Sequence, residues 1–178
     1  MLTVNKLGAL GLLISDIMEH ALGDVSRSAA ALLLTLHYSP SITATELADV
    51  AGVTQPTATR VLDGLERRGW LKRQVRSGRT TPLRLTSAGQ RKARSLQAAR
   101  LQALDGLLVA LPKQERAAFE RTIAKLLAAA TTSRAFARTT CRLCDHGVCD
   151  GPLCPIGARA SELERKAGKF NQPEDRQF

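Results

Sequence analysis

The chain has 178 residues and a net charge of +10, from 26 Lys and Arg against 16 Asp and Glu. That size fits one compact domain with short appendages, and the charge excess points to an anionic partner such as nucleic acid or a membrane surface. No apolar run approaches the ~20 residues of a spanning helix. The early LGALGLLI is short and has no small-residue cleavage site after it, so the expected compartment is the cytoplasm. No serine–histidine–aspartate set, zinc-protease helix motif or Gly-rich phosphate loop occurs, and no enzyme activity is expected.

In chain order, residues 5–21 place Leu7, Leu10, Ile14, Ile17 and Met18 on one helical stripe, and residues 27–37 read as a buried apolar helix. In residues 41–73, Thr43 or Thr45 can cap a short helix with Leu47, Val50 and Ala51 inward, and Gly52 ends it. Thr54 caps a second helix with Pro56 in its first turn, where a missing N–H costs nothing. Ala58, Val61, Leu62 and Leu65 turn one of its faces inward, while Gln55, Thr57, Thr59, Arg60 and Arg67 mark the opposite face. Two short helices around a Gly-containing turn form a helix-turn-helix pattern.

Gly69 stops the second helix. Trp70, Leu71 and Val75, then Leu83 and Leu85, predict two short strands around the basic hairpin of residues 76–81, whose tip carries Arg76 and Arg79. Trp70 reads as core at the helix-to-strand junction. Ser87 opens a long helix to about Val109 with Ala93, Leu96, Leu101, Leu104 and Leu108 on one side. Pro112 begins another, reaching about Ala130 through Phe119, Ile123, Leu126 and Leu127. The expected fold class is therefore mainly α with a small β wing, a winged helix-turn-helix. Its long apolar stripes call for a partner, most simply a second copy joined through the N- and C-terminal helices.

The charge is concentrated where this pattern needs it. Between Arg60 and Arg100 stand twelve Lys and Arg against two acids, Asp63 and Glu66, so this stretch carries the whole molecule's excess. A basic helix and a basic hairpin tip suit a duplex, with the helix in the major groove and the tip on phosphates or an adjacent minor groove.

ELADVAGVTQPTATRVLDGLERRGWLKR followed by RLTSAGQ resembles the MarR family of winged-helix transcription regulators over roughly residues 5–130. The resemblance implies a homodimer, usually a repressor, on the double-stranded DNA of a pseudo-palindromic operator. It implies a recognition helix from about Thr54 to Arg68, with Gln55, Thr57, Ala58 and Arg60 facing the groove and Arg79 as the wing-tip arginine. Where members carry Asp two residues before that arginine, this chain has Ser77. It also implies a small-molecule effector, and His20 or His37 could line its cleft, although such histidines are more often simply packed.

All four cysteines, Cys141, Cys144, Cys149 and Cys154, fall in the spacing C-x2-C-x4-C-x4-C. The loop is punctuated by Gly147, Gly151, Pro152 and Pro155 and reads as too polar to build a core, so metal binding is the expected source of its order. An iron–sulfur cluster ranks first, on four cysteines in one loop with a closing Cys-Pro and a likeness to the C-terminal cysteine cluster of SoxR-type redox regulators. Zinc ranks second, on knuckle-like spacing, and a thiol switch or plain free cysteines third. His146 is a reserve ligand, and Arg138, Arg142 and Arg159 are expected to favour thiolate. The expected division is a winged helix-turn-helix domain with dimerisation helices over 1–136 (DNA-binding part about 40–86), a cysteine-rich loop over 137–160 and a polar tail over 161–178, frayed from Lys166. A structural or non-sequence-specific DNA-binding protein with a structural zinc site is the alternative function.

Overall fold

The computed structural model describes residues 1–75 and 81–168. Its centre is α2 (Arg27–Tyr38), which starts where Ser26 Oγ accepts from the Ala29 N–H at 3.2 Å. Seven consecutive residues, Ala30 to Leu36, are buried. Around them close Leu22 from α1 (Leu2–Leu22), Leu47 from α3 (Ala44–Ala51), and Leu62 and Leu65 from α4 (Gln55–Arg67). Leu71 from β1 (Leu71–Arg73), Leu83 from β2 (Leu83–Leu85), and Ala93 and Leu96 from α5 (Ser87–Leu108) complete the shell. Each buried Leu contributes about 1.5–3 kcal/mol, and this Leu-rich cluster is what sets the pose of α3 and α4.

The helix-turn-helix follows from local chemistry. Thr43 and Glu46 form a reciprocal capping box at the start of α3, which ends at Gly52 in the left-handed region (φ 67°, ψ 37°). Thr54 Oγ1 accepts from the Thr57 N–H, and Pro56 occupies the first turn of α4. β1 and β2 pair antiparallel, with Leu71 opposite Leu85. Val75, expected in the first strand, lies beyond β1 and is 92% exposed. The hairpin tip, and with it Arg76 and Arg79, lies outside the described residues.

At the start of α5, Thr86 Oγ1 accepts from the Gly89 N–H at 3.0 Å and donates to the Gly69 carbonyl at 2.6 Å. Gly89 is needed there, because a Cβ would stand 2.0 Å from the Trp70 carbonyl oxygen. Trp70 is partly buried against the core, as expected, with Arg68 and Lys92 over its ring at 5.0 and 5.3 Å. Farther along α5 the buried face is Ala93, Leu96, Gln97 and Arg100, whereas Leu101 is exposed.

α6 (Lys113–Ala130) buries no residue, so its Ile123 and Leu126, like Leu7, Leu12 and Leu13 of α1, are exposed in the single chain. The following segment departs from expectation. The loop of residues 137–160 and the start of the tail become α7 (Arg134–Thr140), a 3-10 turn at Gly151–Leu153 and α8 (Pro155–Lys166). They enclose a second small core of Ala137, Cys141, Cys154, Ile156 and Ala160. α8 packs on α6 and α7, and α7 on α3. Arg134 joins α7 to α8 through Glu164 at 2.8 Å and Ser161 at 2.7 Å. Of the expected frayed tail from Lys166, residues 169–178 lie outside the described residues.

Candidate functional site

Burial of Leu62 and Leu65 turns the opposite side of α4 to solvent, where Thr54, Gln55, Thr59 and Arg60 are exposed. Thr57 is half-buried, its hydroxyl 3.0 Å from that of Thr54. Ala58, expected to face the groove, is corrected: it is 1% exposed and packs inward, one helical turn before Leu62. Thr59 is the exposed residue at that level, its hydroxyl donating to the Gln55 carbonyl at 3.0 Å.

Several members of the basic stretch are committed within the fold. Arg73 pairs with Asp63 and Glu66, while Arg68 and Lys92 both pair with Asp24. Arg60 and Arg67 form no ion pair among the described residues, so α4 presents them to solvent as uncompensated charge. Pairing the two acids to Arg73 also removes the carboxylates that would repel a phosphate backbone.

The four cysteines, none of them in a disulfide, come together at the junction of α7 and α8. Cys141 is the C-cap of α7, and Cys154 caps α8, its Sγ accepting from the Gly157 N–H at 3.2 Å. Between them Cys144 N–H donates to the Cys141 carbonyl at 2.8 Å, and Cys149 N–H to the Asp145 carbonyl at 2.8 Å. Cys141 and Cys154 are buried together, with Cys144 and Cys149 packed against them. Among the described residues no three His, Cys, Asp or Glu side chains stand in a closed metal shell, so the thiols would have to draw together round an ion. In donor type they suit a four-thiolate centre.

The electrostatics of this cluster involve a residue that the sequence reading passed over. The Cys141 thiol donating to Cys144 holds the latter down at about 7, against desolvation, and the Arg100 guanidinium reinforces it. The same bond, with burial, drives Cys141 far up, and burial pushes Cys149 up to about 12. The expected helpers Arg138, Arg142 and Arg159 are not among the causes of the Cys144 shift; the cation is Arg100, from α5.

Arg100 is 7% exposed, and its Nε is buried without a hydrogen-bond partner among the described residues. The side-chain amide of Gln97, oriented as its neighbours dictate, accepts from Arg100 Nη2 at 2.9 Å and from the Asp145 N–H at 2.9 Å, and donates to the Leu143 carbonyl. Asp145 Oδ1 accepts from Tyr38 Oη at 2.8 Å. Burial first and then this bond raise the Tyr38 pKa, and burial lowers that of Arg100. The sequence did hold a signal, since Arg100 falls four residues after Leu96 on the inward face of α5.

His146 stacks edge-on to Tyr38 at 5.3 Å, and burial lowers its pKa. His37 pairs with Gln90, and His20 lies in a shallow hollow with Asp16, Glu19 and Gly23. No helix among the described residues is long and apolar enough to cross a membrane.

Residues 25–78 match the sequence profile of the MarR family. Among solved structures, the chain is similar to a MarR family protein of Mycobacterium tuberculosis, with 27% identity and a TM-score of 0.58 over 68% of this chain and 91% of that one. It is similar to the YusO protein of Bacillus subtilis, with 25% identity and a TM-score of 0.65 over 72% of this chain and 94% of that one. A third, a mutant of Staphylococcus aureus MepR bound to an oligodeoxyribonucleotide, shares the fold at 19% identity and a TM-score of 0.56, over 71% of this chain and 96% of that one. No curated protein matches the chain.

Proposed function

We propose, for a chain that belongs to the MarR family through residues 25–78, that it is a homodimeric, sequence-specific DNA-binding transcription regulator of the repressor type. The observation that carries this reading is the solvent face of α4, where Gln55, Thr59 and Arg60 stand on a helix fixed by core burial and two caps. A similar fold bound to an oligodeoxyribonucleotide supports it. Arg60 reads base edges, and Thr54, Gln55 and Thr57 set the register of the helix N-terminus. Arg76 and Arg79 of the wing add phosphate contacts. The uncovered apolar faces of α1 and α6 pair with those of a second copy, placing two α4 helices on a pseudo-palindrome.

Cys141, Cys144, Cys149 and Cys154 hold an iron–sulfur cluster in preference to zinc, with His146 in reserve. Such a cluster supplies redox chemistry when bound, whereas zinc supplies fixed structural charge. What favours a negatively charged sulfur centre is Arg100, since a buried guanidinium is costly unless it faces an anion. Arg100 and Gln97 lie on α5, directly after the wing strands, and Thr139 of α7 donates to the Asp49 carbonyl of α3 at 3.3 Å. A change of charge or shape at the cysteines therefore has two short routes into the helix-turn-helix.

Two comparisons at one salt concentration test this. Arg60→Ala should cost about 1–3 kcal/mol on operator DNA and relax base preference; equal loss on operator and scrambled DNA would leave a non-sequence-specific binder. Operator affinity should also differ between wild type with metal and both wild type stripped anaerobically and Cys144→Ser, typically about 5- to 150-fold. Three equal affinities would reduce the cysteines to a structural staple, and iron with sulfide against zinc in the purified protein separates the two centres.

A further inference from the structure

The start of α4 decides which chemical groups the helix offers to a groove. Ala58, Leu62 and Leu65 hold one side in the core, and Thr59 is exposed one helical turn after the exposed Gln55. Gln55 and Arg60 end in polar groups. Thr59 is different, because its hydroxyl donates to the Gln55 carbonyl at 3.0 Å and a hydroxyl has only one hydrogen to give.

The same bond fixes the side chain. The threonine Cβ carries two heavy atoms, and with Oγ1 turned back onto the helix backbone the other, Cγ2, is left to project from the helix. Thr59 therefore brings to a groove a methyl group held in one orientation, with little rotamer freedom left to lose on binding. In the major groove thymine is marked by its C5-methyl, and a threonine methyl is a fitting contact for it. Arginine suits guanine and glutamine suits adenine, so the three exposed residues differ in what they can read.

We propose that Thr59 is a specificity-determining residue, its γ-methyl packing on the C5-methyl of a thymine in each half-site of the duplex. Thymine recognition of this kind rests on the sequence-specific reading proposed above and gives that reading one base and one atom.

The probe is the duplex that the wild-type chain selects from a random-sequence pool. Its thymines are replaced by deoxyuridine, one symmetric pair at a time, which removes only the methyl. At one such pair wild-type affinity should fall about tenfold, since each buried methyl is worth about fourfold. Thr59→Ser keeps the bond to Gln55 and loses the methyl, and should bind the thymine and deoxyuridine duplexes equally at that pair. Thr59→Val keeps a methyl and loses the hydroxyl, and should discriminate as wild type does. Pro56 is also exposed, so a thymine is assigned to Thr59 only where Thr59→Ser abolishes the difference. Thr59 is outside the core, so neither variant disturbs it, and the deoxyuridine scan of wild type needs no variant. Selected half-sites without a thymine, or a scan with no pair whose effect Thr59→Ser abolishes, would overturn the assignment. Discrimination lost in Thr59→Val and kept in Thr59→Ser would overturn it too, by moving the reading to the hydroxyl. Each of these results leaves sequence preference standing. A pool from which no sequence is selected would remove that preference, and thymine recognition with it.

Discussion

Around α2, seven consecutive residues are buried and Leu side chains arrive from α1, α3, α4, both strands and α5. Around α7 and α8, the buried set is Ala137, Cys141, Cys154, Ile156 and Ala160. The first cluster contains enough large side chains to offset the ordering of its backbone; the second has one large aliphatic residue for a segment of some thirty positions. The cysteine segment is therefore ordered by attachment. Leu143 inserts into the main core, Tyr38 holds Asp145, Gln97 holds both the Leu143 carbonyl and the Asp145 N–H, and Thr139 reaches Asp49. A region that borrows its order in this way suits the sensing role proposed above, because a small local change alters how firmly it holds its neighbour.

The largest expected effect is on the self-sufficient region. In Gly89→Ala the new Cβ meets the Trp70 carbonyl oxygen at 2.0 Å, and backbone cannot yield as a flexible side chain can. The N-terminus of α5 must shift away from the junction of α4 and β1. Overpacking of this kind costs about 1–3 kcal/mol, read as a lower denaturant midpoint at unchanged m-value. Because the cysteine segment depends on α5 through Gln97 and Arg100, thiol accessibility should rise as well. A stable variant with an unchanged midpoint would remove this contact from the fold's requirements.

A change in the attachment separates the two regions more finely. Tyr38→Phe keeps the ring against His37 and His146 and removes the hydroxyl that donates to Asp145. One such bond contributes about 1 kcal/mol, and the loss should fall on the attached segment. Amide hydrogen exchange should quicken in α7 and the cysteine turns while the α2 core keeps its protection. Equal loss of protection in both would mean that they unfold as one unit.

The same contrast governs what was legible in the sequence. Thr43, Gly52, Thr54, Pro56 and the inward Leu62 and Leu65 each declare a local role through a cap, a turn or helical spacing, and the structure uses them so. Ala58 satisfied two patterns at once, the inward repeat and the family's groove face, and packing against the core takes precedence. Val75 followed alternation, but β1 is only three residues long. The second core escaped because Cys and Ala supply its burial, and a reading that looks for large aliphatic spacing sees a polar loop. Arg100 escaped because an arginine in a basic run counts as surface charge until a later segment folds over it. Arg76 and Arg79 lie outside the described residues and keep their sequence-based assignment.

The smallest effect concerns α3, the element that serves both regions. Glu46 closes the capping box at one end, and Thr139 of α7 reaches the Asp49 carbonyl nearer the other. The Thr43 N–H bonded to the Glu46 carboxylate, reinforced by the Thr43 hydroxyl, holds its pKa below the ordinary carboxylate value. A depressed carboxyl stabilises the fold at pH values above its unfolded pKa, and that contribution disappears as the pH falls through the folded value. Glu46→Gln keeps an acceptor for the Thr43 N–H and removes the charge at the positive end of the helix dipole. The variant should therefore be less stable than wild type at pH 7, by a few tenths of a kcal/mol to about 1. The gap between their urea midpoints should close as both are taken below the carboxylate range. A gap of constant size from neutral to acid pH would assign the cap to hydrogen-bond shape alone. A gap that closes, accompanied by looser α7 exchange in the variant, would show that the capped end of α3 and the end bonded to α7 are held by one helix acting as a unit.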